Sequence, residues 1–358
     1  MKKGNSSILK STFARLLLKW DLNQNTRQMP WKGEKDPYRI WLSEIILQQT
    51  RVEQGLGYYN SFIKTFPDVH KLALAPEAKV FKLWEGLGYY TRCRNLIASA
   101  SYISKKLQGK FPDSYEGIKA LKGVGPYSAA AISSFAFNLP HAVLDGNVVR
   151  VLARIFGIDT AADPANGRKK FAALAQELLD KKQPGLYNQA IMDFGATVCK
   201  PAAPLCSACP YKKYCAAFLN NRVGELPVKE KKITIKKRWF YYIVLEYYNS
   251  IAVRQRTGKD IWQGLYEFPL IETGKEASGK TILQQAGKNK WLLKGHYKFG
   301  SVSPLYKQRL SHQLIAGQFI KILLKKKPLL QNKFVWVKKM KLGKYAFPQL
   351  INQYLKGA

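Results

Sequence analysis

Two glycines one residue apart, in the run LKGVGPY from Leu121 to Tyr127, restrict this chain more than any other feature. The apolar turn that starts at Ile118 must reverse across Gly123-Val124-Gly125. With no Cβ, both glycines permit positive φ and close backbone approach. An Ala/Ser/Ile-rich run from about Tyr127 to Ala136 predicts a second helix after Pro126. The product is helix, tight hairpin, helix, with bare amides at the second helix's N-terminus. Such amides, backed by the positive end of the helix dipole, suit an anion such as a DNA phosphate. A lone Gly-x-Gly is more often an ordinary helix corner, so the residues downstream of the hairpin carry weight. About twenty residues on, Asp145-Gly146-Asn147 precedes a helical run from Val148 to Ile155. Asp145 reads either as an N-cap or as a carboxylate near a phosphate-gripping hairpin, aimed at a sugar.

Charge supports a polyanionic partner. The net charge is +36, divided as +15 over residues 1–225 and +21 over residues 226–358. A chain of 358 residues with 46% hydrophobic content suits two ordinary cores and excludes a disordered protein. No run of eighteen apolar residues occurs, and Leu16-Leu17-Leu18 is too short for a membrane span or a signal segment. The expectation is therefore a soluble, cytoplasmic, DNA-associated protein that is monomeric and makes no membrane contact. The first twenty residues are basic and lack acids, but Leu9, Phe13, Leu16, Leu17 and Trp20 recur at helical spacing and predict an amphipathic first helix.

Asp36-Pro37 signals the start of the helix PYRIWLSEIILQQTR. Glu44 falls at i+3 and i+4 from Trp41 and Ile40, so a carboxylate sits on or beside an apolar face. Burial there should raise its pKa, as a general acid working near neutral pH requires. The alternative is a rim glutamate that reaches solvent.

Four of the five cysteines, Cys199, Cys206, Cys209 and Cys215, fall within seventeen positions with spacers of six, two and five residues, and no histidine is close. A reducing compartment disfavours disulfides, which leaves a metal site. Zinc and a [4Fe-4S] cluster both suit four cysteines, and spacing alone does not choose. Lys200, Lys212 and Lys213 surround the loop, while Cys93 reads as a packed thiol.

The polar, charge-rich stretch from Asn220 to Lys237 marks a change of character. Beyond it WFYYIVLEYY, a turn at Asn249-Ser250 and IAVRQR predict a hairpin. Further strands are expected near Gly295–Phe299, Ser311–Ile320 and Phe334–Val337, with a closing helix from Pro348 to Leu355 that packs Leu350, Ile351 and Tyr354.

Several of these segments together resemble one family. LKGVGPYSA followed by VLDGNVVRVLAR is similar to the helix-hairpin-helix signature of the endonuclease III-like DNA glycosylases. WLSEIILQQT, GLGYYTRCRNL and NQAIMDFGA resemble segments of the adenine DNA glycosylases of the MutY type. DIWQGLYEFP, from Asp260 to Pro269, resembles the Nudix-like C-terminal domain of the same enzymes. The resemblance implies a mostly α N-terminal region, residues 1–225, with a six-helix domain and an iron-sulfur domain whose loop is 199–215. A linker at 226–237 and an α+β Nudix-like domain at 238–358 would follow. One [4Fe-4S] cluster per chain on the four cysteines is likewise implied by the family pattern.

Residue roles come with the same resemblance. Glu44 matches the catalytic acid. Asp145, assisted by Tyr127 and Asn147, matches the group that stabilises the sugar cation. Trp31, Lys32, Leu47 and Gln189 would line an adenine pocket. Gln48 would probe the gap left by a flipped base, Tyr89 would wedge into the duplex, and Gln49, Thr50, Leu87 and Gly88 beside them would contact DNA. Gly123, Val124 and Gly125 would meet DNA. Leu310-Ser311-His312 matches the loop that reads 8-oxoguanine, although Leu310 stands where the family has phenylalanine. The acidic magnesium-binding helix of true Nudix hydrolases is missing from GKEASGKTILQQ, so the domain would bind without hydrolysing. Members that also cut the backbone carry lysine where this chain has Tyr127, which implies base removal that stops at the abasic site. The expected partner is double-stranded DNA with an adenine:8-oxoguanine mispair. The rivals are a bifunctional enzyme for oxidised pyrimidines and a non-catalytic DNA binder.

Overall fold

A computed structural model describes residues 3–228, 234–328, 330 and 334–357. Residues 229–233 of the expected linker lie outside the described residues. The chain divides into two compact units, Met1–Ala73 with Ala98–Lys231, and Leu74–Ile97 with Lys232–Ala358. Among the described residues, no helix is long and apolar enough to cross a membrane.

The first unit is helical. It opens with α1 (Lys3–Gln24), α2 (Pro37–Leu47) and α3 (Val52–Thr65) and reaches the beginning of α4 (Val69–Leu74). The next helices are α5 (Glu77–Trp84) and α6 (Tyr90–Lys106), the latter running from the second unit back into the first. After them come α7 (Tyr115–Lys119), α8 (Pro126–Phe137), α9 (Gly146–Phe156), α10 (Ala165–Leu178), α11 (Pro184–Thr197) and the short α12 (Ala216–Leu219). In α1, Leu9, Phe13, Leu17 and Trp20 are buried, while Leu16 sits partly buried on the flank. This face meets the core through Phe13 on Tyr211, centroids 4.9 Å apart, and Trp20 edge-on to Phe194 at 5.0 Å.

The hairpin forms, but of its two glycines only Gly123 needs the left-handed backbone; Gly125 has φ −91° and open space where a Cβ would stand. Ser114 caps α7 by accepting from the Gly117 amide, Gly123 takes φ +83°, and α8 starts at Pro126 with Gly125 as its N-cap. Residues Ser128 to Ser134 are all buried, and apart from Ile132 they are serines and alanines, whose small side chains let α2 and α11 pack on α8. A Cβ on Gly185 of α11 would come within 2.7 Å of the Ser134 carbonyl oxygen. Likewise, a Cβ on Gly195 would meet the Asn147 Cβ at 2.7 Å, so α11 and α9 cross at a residue with no side chain.

In the second unit, β1 (Lys236–Tyr247) is flanked along its length by β7 (Gln313–Leu324), parallel from Lys236↔Gln313 to Glu246↔Leu323. On its other edge lie β4 (Leu270–Thr273) and the start of β2 (Ser250–Gln255). The β1–β2 turn is Tyr248-Asn249, one residue earlier than expected, because Tyr248 takes the positive φ (+49°) and Ser250 already pairs with Tyr247. The sheet is completed by β3 (Tyr266–Glu267), β5 (Tyr297–Val302), β6 (Tyr306–Arg309) and β8 (Val335–Lys338).

Both faces of β1 are buried, which explains a strand that reads as a continuous apolar run. On one face Tyr241, Ile243 and Leu245 pack with Ile282 and Ala286 of α13 (Gly279–Lys288). The other packs toward α14 (Gln349–Gly357), where Tyr354 stacks on Phe319 at 4.1 Å and Phe319 on Tyr242 at 5.0 Å. No acidic residue lies in α13.

Candidate active site

A cavity of about 750 Å³ in the first unit gathers side chains from α2, the loop before it, α8, the start of α9, and α11. Its walls include Trp31, Lys32, Glu44, Leu47, Gln48, Gln49, Thr50, Tyr127, Asp145, Asn147 and Gln189. Residues far apart in the chain thus meet because α2 and α11 both pack against α8.

Glu44 is 8% exposed. Burial pushes its carboxyl up to about 7, reinforced by the negative charge of Asp145, and an interaction with the Tyr127 hydroxyl partly offsets the rise. The Tyr127 hydroxyl also points at Met192 Sδ, 3.4 Å away. Asp145 is the N-cap of α9 and accepts from the Val148 amide at 2.8 Å, while Asn147 Nδ2 donates to its second oxygen at 2.8 Å. Burial raises the pKa of Asp145, and these hydrogen bonds to its ionised form oppose the rise. The cavity therefore holds a carboxyl that keeps its proton toward neutrality beside a carboxylate fixed by its own helix.

Arg150 connects that cap to the cysteine loop. Its Nη2 donates to Asn147 Oδ1 at 2.8 Å and to the Gly195 carbonyl at 2.7 Å, and its Nε donates to the Cys199 carbonyl at 2.7 Å. Cys199 follows α11, Cys206 opens a 3-10 turn that ends before Cys209, and Cys215 caps α12. The buried Arg154 places Nη1 3.5 Å from Cys199 Sγ and donates to the carbonyls of Lys200, Pro201 and Leu226. Cys209 interacts electrostatically with Cys199, Cys206 and Cys215. Among the described residues, no three Cys, His, Asp or Glu side chains are arranged to hold one metal ion. Cys93 is fully buried.

The hairpin glycines lie off the cavity. Gln48 Nε2 reaches Ser128 Oγ at 3.1 Å and the Gly123 carbonyl at 3.4 Å. The Val124 amide donates to the Leu121 carbonyl, and its side chain is buried. The open amides at this helix start are consequently those of Gly125 and the first turn of α8. Gln49, just past α2, holds φ +56°, a sparsely populated conformation for a non-glycine residue.

Tyr89 and the 310–312 loop are brought together in the second unit, where both line a cavity of about 490 Å³. The Tyr89 hydroxyl lies 2.6 Å from Ser311 Oγ, and the ring is 45% exposed with the Arg92 guanidinium 5.3 Å from its centroid. Gly88 and Tyr89 both take positive φ. Leu87, by contrast, is buried, and Ser311 and His312 are exposed bends ahead of β7.

Sequence reasoning misses one cluster. Asp193 is fully buried and pairs with Arg27 Nη1 at 2.8 Å and Lys32 Nζ at 3.2 Å. It also accepts from Asn25 Nδ2 at 2.9 Å and Gln189 Nε2 at 3.0 Å. An acid inside the apolar run AIMDFGA is the available signal.

Models of two families match the chain. One, the HhH-GPD superfamily base excision DNA repair protein, covers residues 42–179, and the other, a NUDIX domain, covers residues 240–357. An adenine DNA glycosylase of Buchnera aphidicola subsp. Baizongia pistaciae is 34% identical over 333 residues, 90% of either chain. The adenine DNA glycosylase of Homo sapiens is 40% identical over 218 residues, 58% of this chain and 39% of that one. Among solved structures, a thermostable thymine-DNA glycosylase superposes with a TM-score of 0.56 at 27% identity, covering 60% of this chain and 99% of the other. An endonuclease III trapped on DNA superposes at 0.51 with 18% identity, covering 59% and 98%, a likeness of fold.

Proposed function

The chain belongs to the adenine DNA glycosylase family, and from that premise we propose that it excises adenine mispaired with 8-oxoguanine or guanine in duplex DNA by hydrolysing the N-glycosidic bond. The observation that carries the reading is Glu44, buried and holding its proton up to about pH 7, in one cavity with the capped Asp145. With adenine flipped into the cavity, Glu44 protonates N7 and the base leaves neutral. Asp145 stabilises the oxocarbenium-like sugar or bonds to it, Tyr127 and Asn147 hold these groups in place, and water completes the hydrolysis.

The reaction stops at an abasic site. Tyr127 offers no amine, and the lysine amines on the cavity wall are engaged, Lys32 by Asp193 and Lys35 by the Phe135 carbonyl. The net charge of +36 supports duplex DNA as the partner. Tyr89 and the loop Leu310-Ser311-His312 recognise the base opposite adenine, a role supported by their shared cavity. Binding there leaves Tyr89 to exchange its Ser311 contact for the lesion.

Cys199, Cys206, Cys209 and Cys215 would hold one [4Fe-4S] cluster. Four thiols on one loop, with Cys209 in electrostatic contact with Cys199, Cys206 and Cys215, form a donor set that suits iron-sulfur ligation. The Arg154 guanidinium on Cys199 offsets thiolate charge. When bound, the cluster supplies a covalent clamp on the loop that Arg150 ties to Asn147.

The test is single-turnover adenine release from a duplex with adenine opposite 8-oxoguanine, beside an adenine:cytosine control, with strand breaks scored before and after alkali. Fast release on the lesion duplex with breaks only after alkali is expected. Breaks without alkali, or a borohydride-trapped adduct, would instead identify a bifunctional enzyme.

A further inference from the structure

We propose that Asp193 is a positioning residue that sets the hydrogen-bonding direction of the base pocket by fixing the side-chain amide of Gln189. The inference rests on the adenine-excising reading and adds how that pocket distinguishes a 6-amino from a 6-oxo purine.

A single carboxylate has a limited capacity to accept. Its two oxygens offer about four lone-pair sites, and here Oδ1 accepts from Arg27 and Gln189 while Oδ2 accepts from Asn25 and Lys32. The group is fully buried, and two cations balance it from partly exposed positions. A carboxylate saturated in this way holds each donor in one orientation, because any rotation leaves a buried charge short of a partner.

For Gln189 the consequence is specific. Its two ends differ only in hydrogen-bonding sense, and an ionised carboxylate accepts but cannot donate. Nε2 is therefore the end turned to Asp193, 3.0 Å away, and Oε1 is the end available to the cavity that Gln189 lines. An acceptor there matches the exocyclic amino group of adenine and opposes the carbonyl of a 6-oxo purine such as hypoxanthine or guanine. Asp193 touches no base itself, and Gln189 carries its effect.

The test compares single-turnover release of adenine and of hypoxanthine, each opposite 8-oxoguanine, by the wild type, Gln189→Leu and Asp193→Asn. An asparagine at 193 must turn an N–H₂ toward one of the two cations, so the network rearranges and Gln189 is free to rotate. The expected result is a ratio of adenine to hypoxanthine release that falls about tenfold or more in both variants. A scaffold role alone lowers both rates and leaves the ratio unchanged, and that result in either variant overturns the proposal. If Asp193→Asn does not fold, Gln189→Leu, which keeps Asp193 paired with Arg27 and Lys32, still decides whether the amide reads the base. Failure of the wild type to release adenine would remove the glycosylase reading itself, a different outcome from an unchanged ratio.

Discussion

Burial holds the proton of Glu44 up to about pH 7, where a solvated glutamate would ionise near 4.5. Its folded pKa lies above its unfolded one, so the associated stability is full below about 4.5 and is lost as pH rises through 7. Activity shares the upper limb, since a proton donor must be protonated: single-turnover adenine release should decline above pH 7. Glu44→Gln should lower release by about 10² or more. The same variant should gain stability over wild type as pH rises from 5.5 to 8.5, by as much as about 2 kcal/mol. Parallel urea curves at the two pH values that stay equally spaced would sink the assignment. Asp145→Asn separates cap from chemistry, because asparagine caps a helix about as well as aspartate. Mispair binding and melting temperature should hold while adenine release disappears, and binding lost together with activity would reduce Asp145 to a cap. At this scale Glu44 is legible, since its helix carries the spacing and the family motif. Asp193 is not, because its partners Asn25 and Arg27 lie in a loop whose path no local pattern specifies.

Elements are legible wherever a local rule governs them. The hairpin glycines, the Asp36-Pro37 start and the apolar stripe of α1 each fix geometry within one turn, and α8 extends only a residue beyond the expected run at its C-terminal end. The parallel β1–β7 pairing joins segments 77 positions apart by register, and such pairing leaves no local mark. Short β3, β4 and β6 likewise depend on their neighbours. The α9–α11 crossing is an element property with a sharp test. Alanine for glycine inside a helix normally gains up to about 1 kcal/mol, but at Gly195 the new Cβ would meet the Asn147 Cβ at 2.7 Å and its backbone O and C at 3.1 and 3.2 Å. Backbone cannot yield as a side-chain tip can, so overpacking of about 1–3 kcal/mol prevails. Gly195→Ala should therefore destabilise the chain and shift the Asp145-Gly146-Asn147 cap, with adenine release falling about tenfold to a hundredfold. Wild-type rates in an alanine variant would mean that the crossing does not position the cap.

The polar stretch around residues 226–237 suggests that the chain can be cut there to yield a self-sufficient helical enzyme, and the packing of residues 74–97 argues otherwise. That segment belongs to the C-terminal unit. The Phe81 ring lies where a Cβ on Gly264 would stand, 2.6 Å from its Cζ, so the glycine exists to admit the ring. Glu85 Oε1 accepts from the Phe347 amide at 2.7 Å, Lys82 Nζ donates to the Tyr345 carbonyl at 3.1 Å, and Arg94 Nη1 to the Gln263 carbonyl at 2.7 Å. Truncation after residue 228 strips all of these at once, exposing Phe81 and leaving Tyr89 without Ser311. It also removes the whole +21 charge carried by residues 226–358, which should flatten the salt dependence of duplex binding. The truncated chain should melt lower than the full chain and become sensitive to protease between residues 74 and 97. Ser311→Ala in the full chain should leave that segment protected and change only the preference for 8-oxoguanine over guanine opposite adenine. Mass spectrometry of limited digests distinguishes the two. A truncated chain that keeps 74–97 protected and its melting temperature unchanged would show that this segment does not need the C-terminal strands, and that the two units fold as the linker alone suggests.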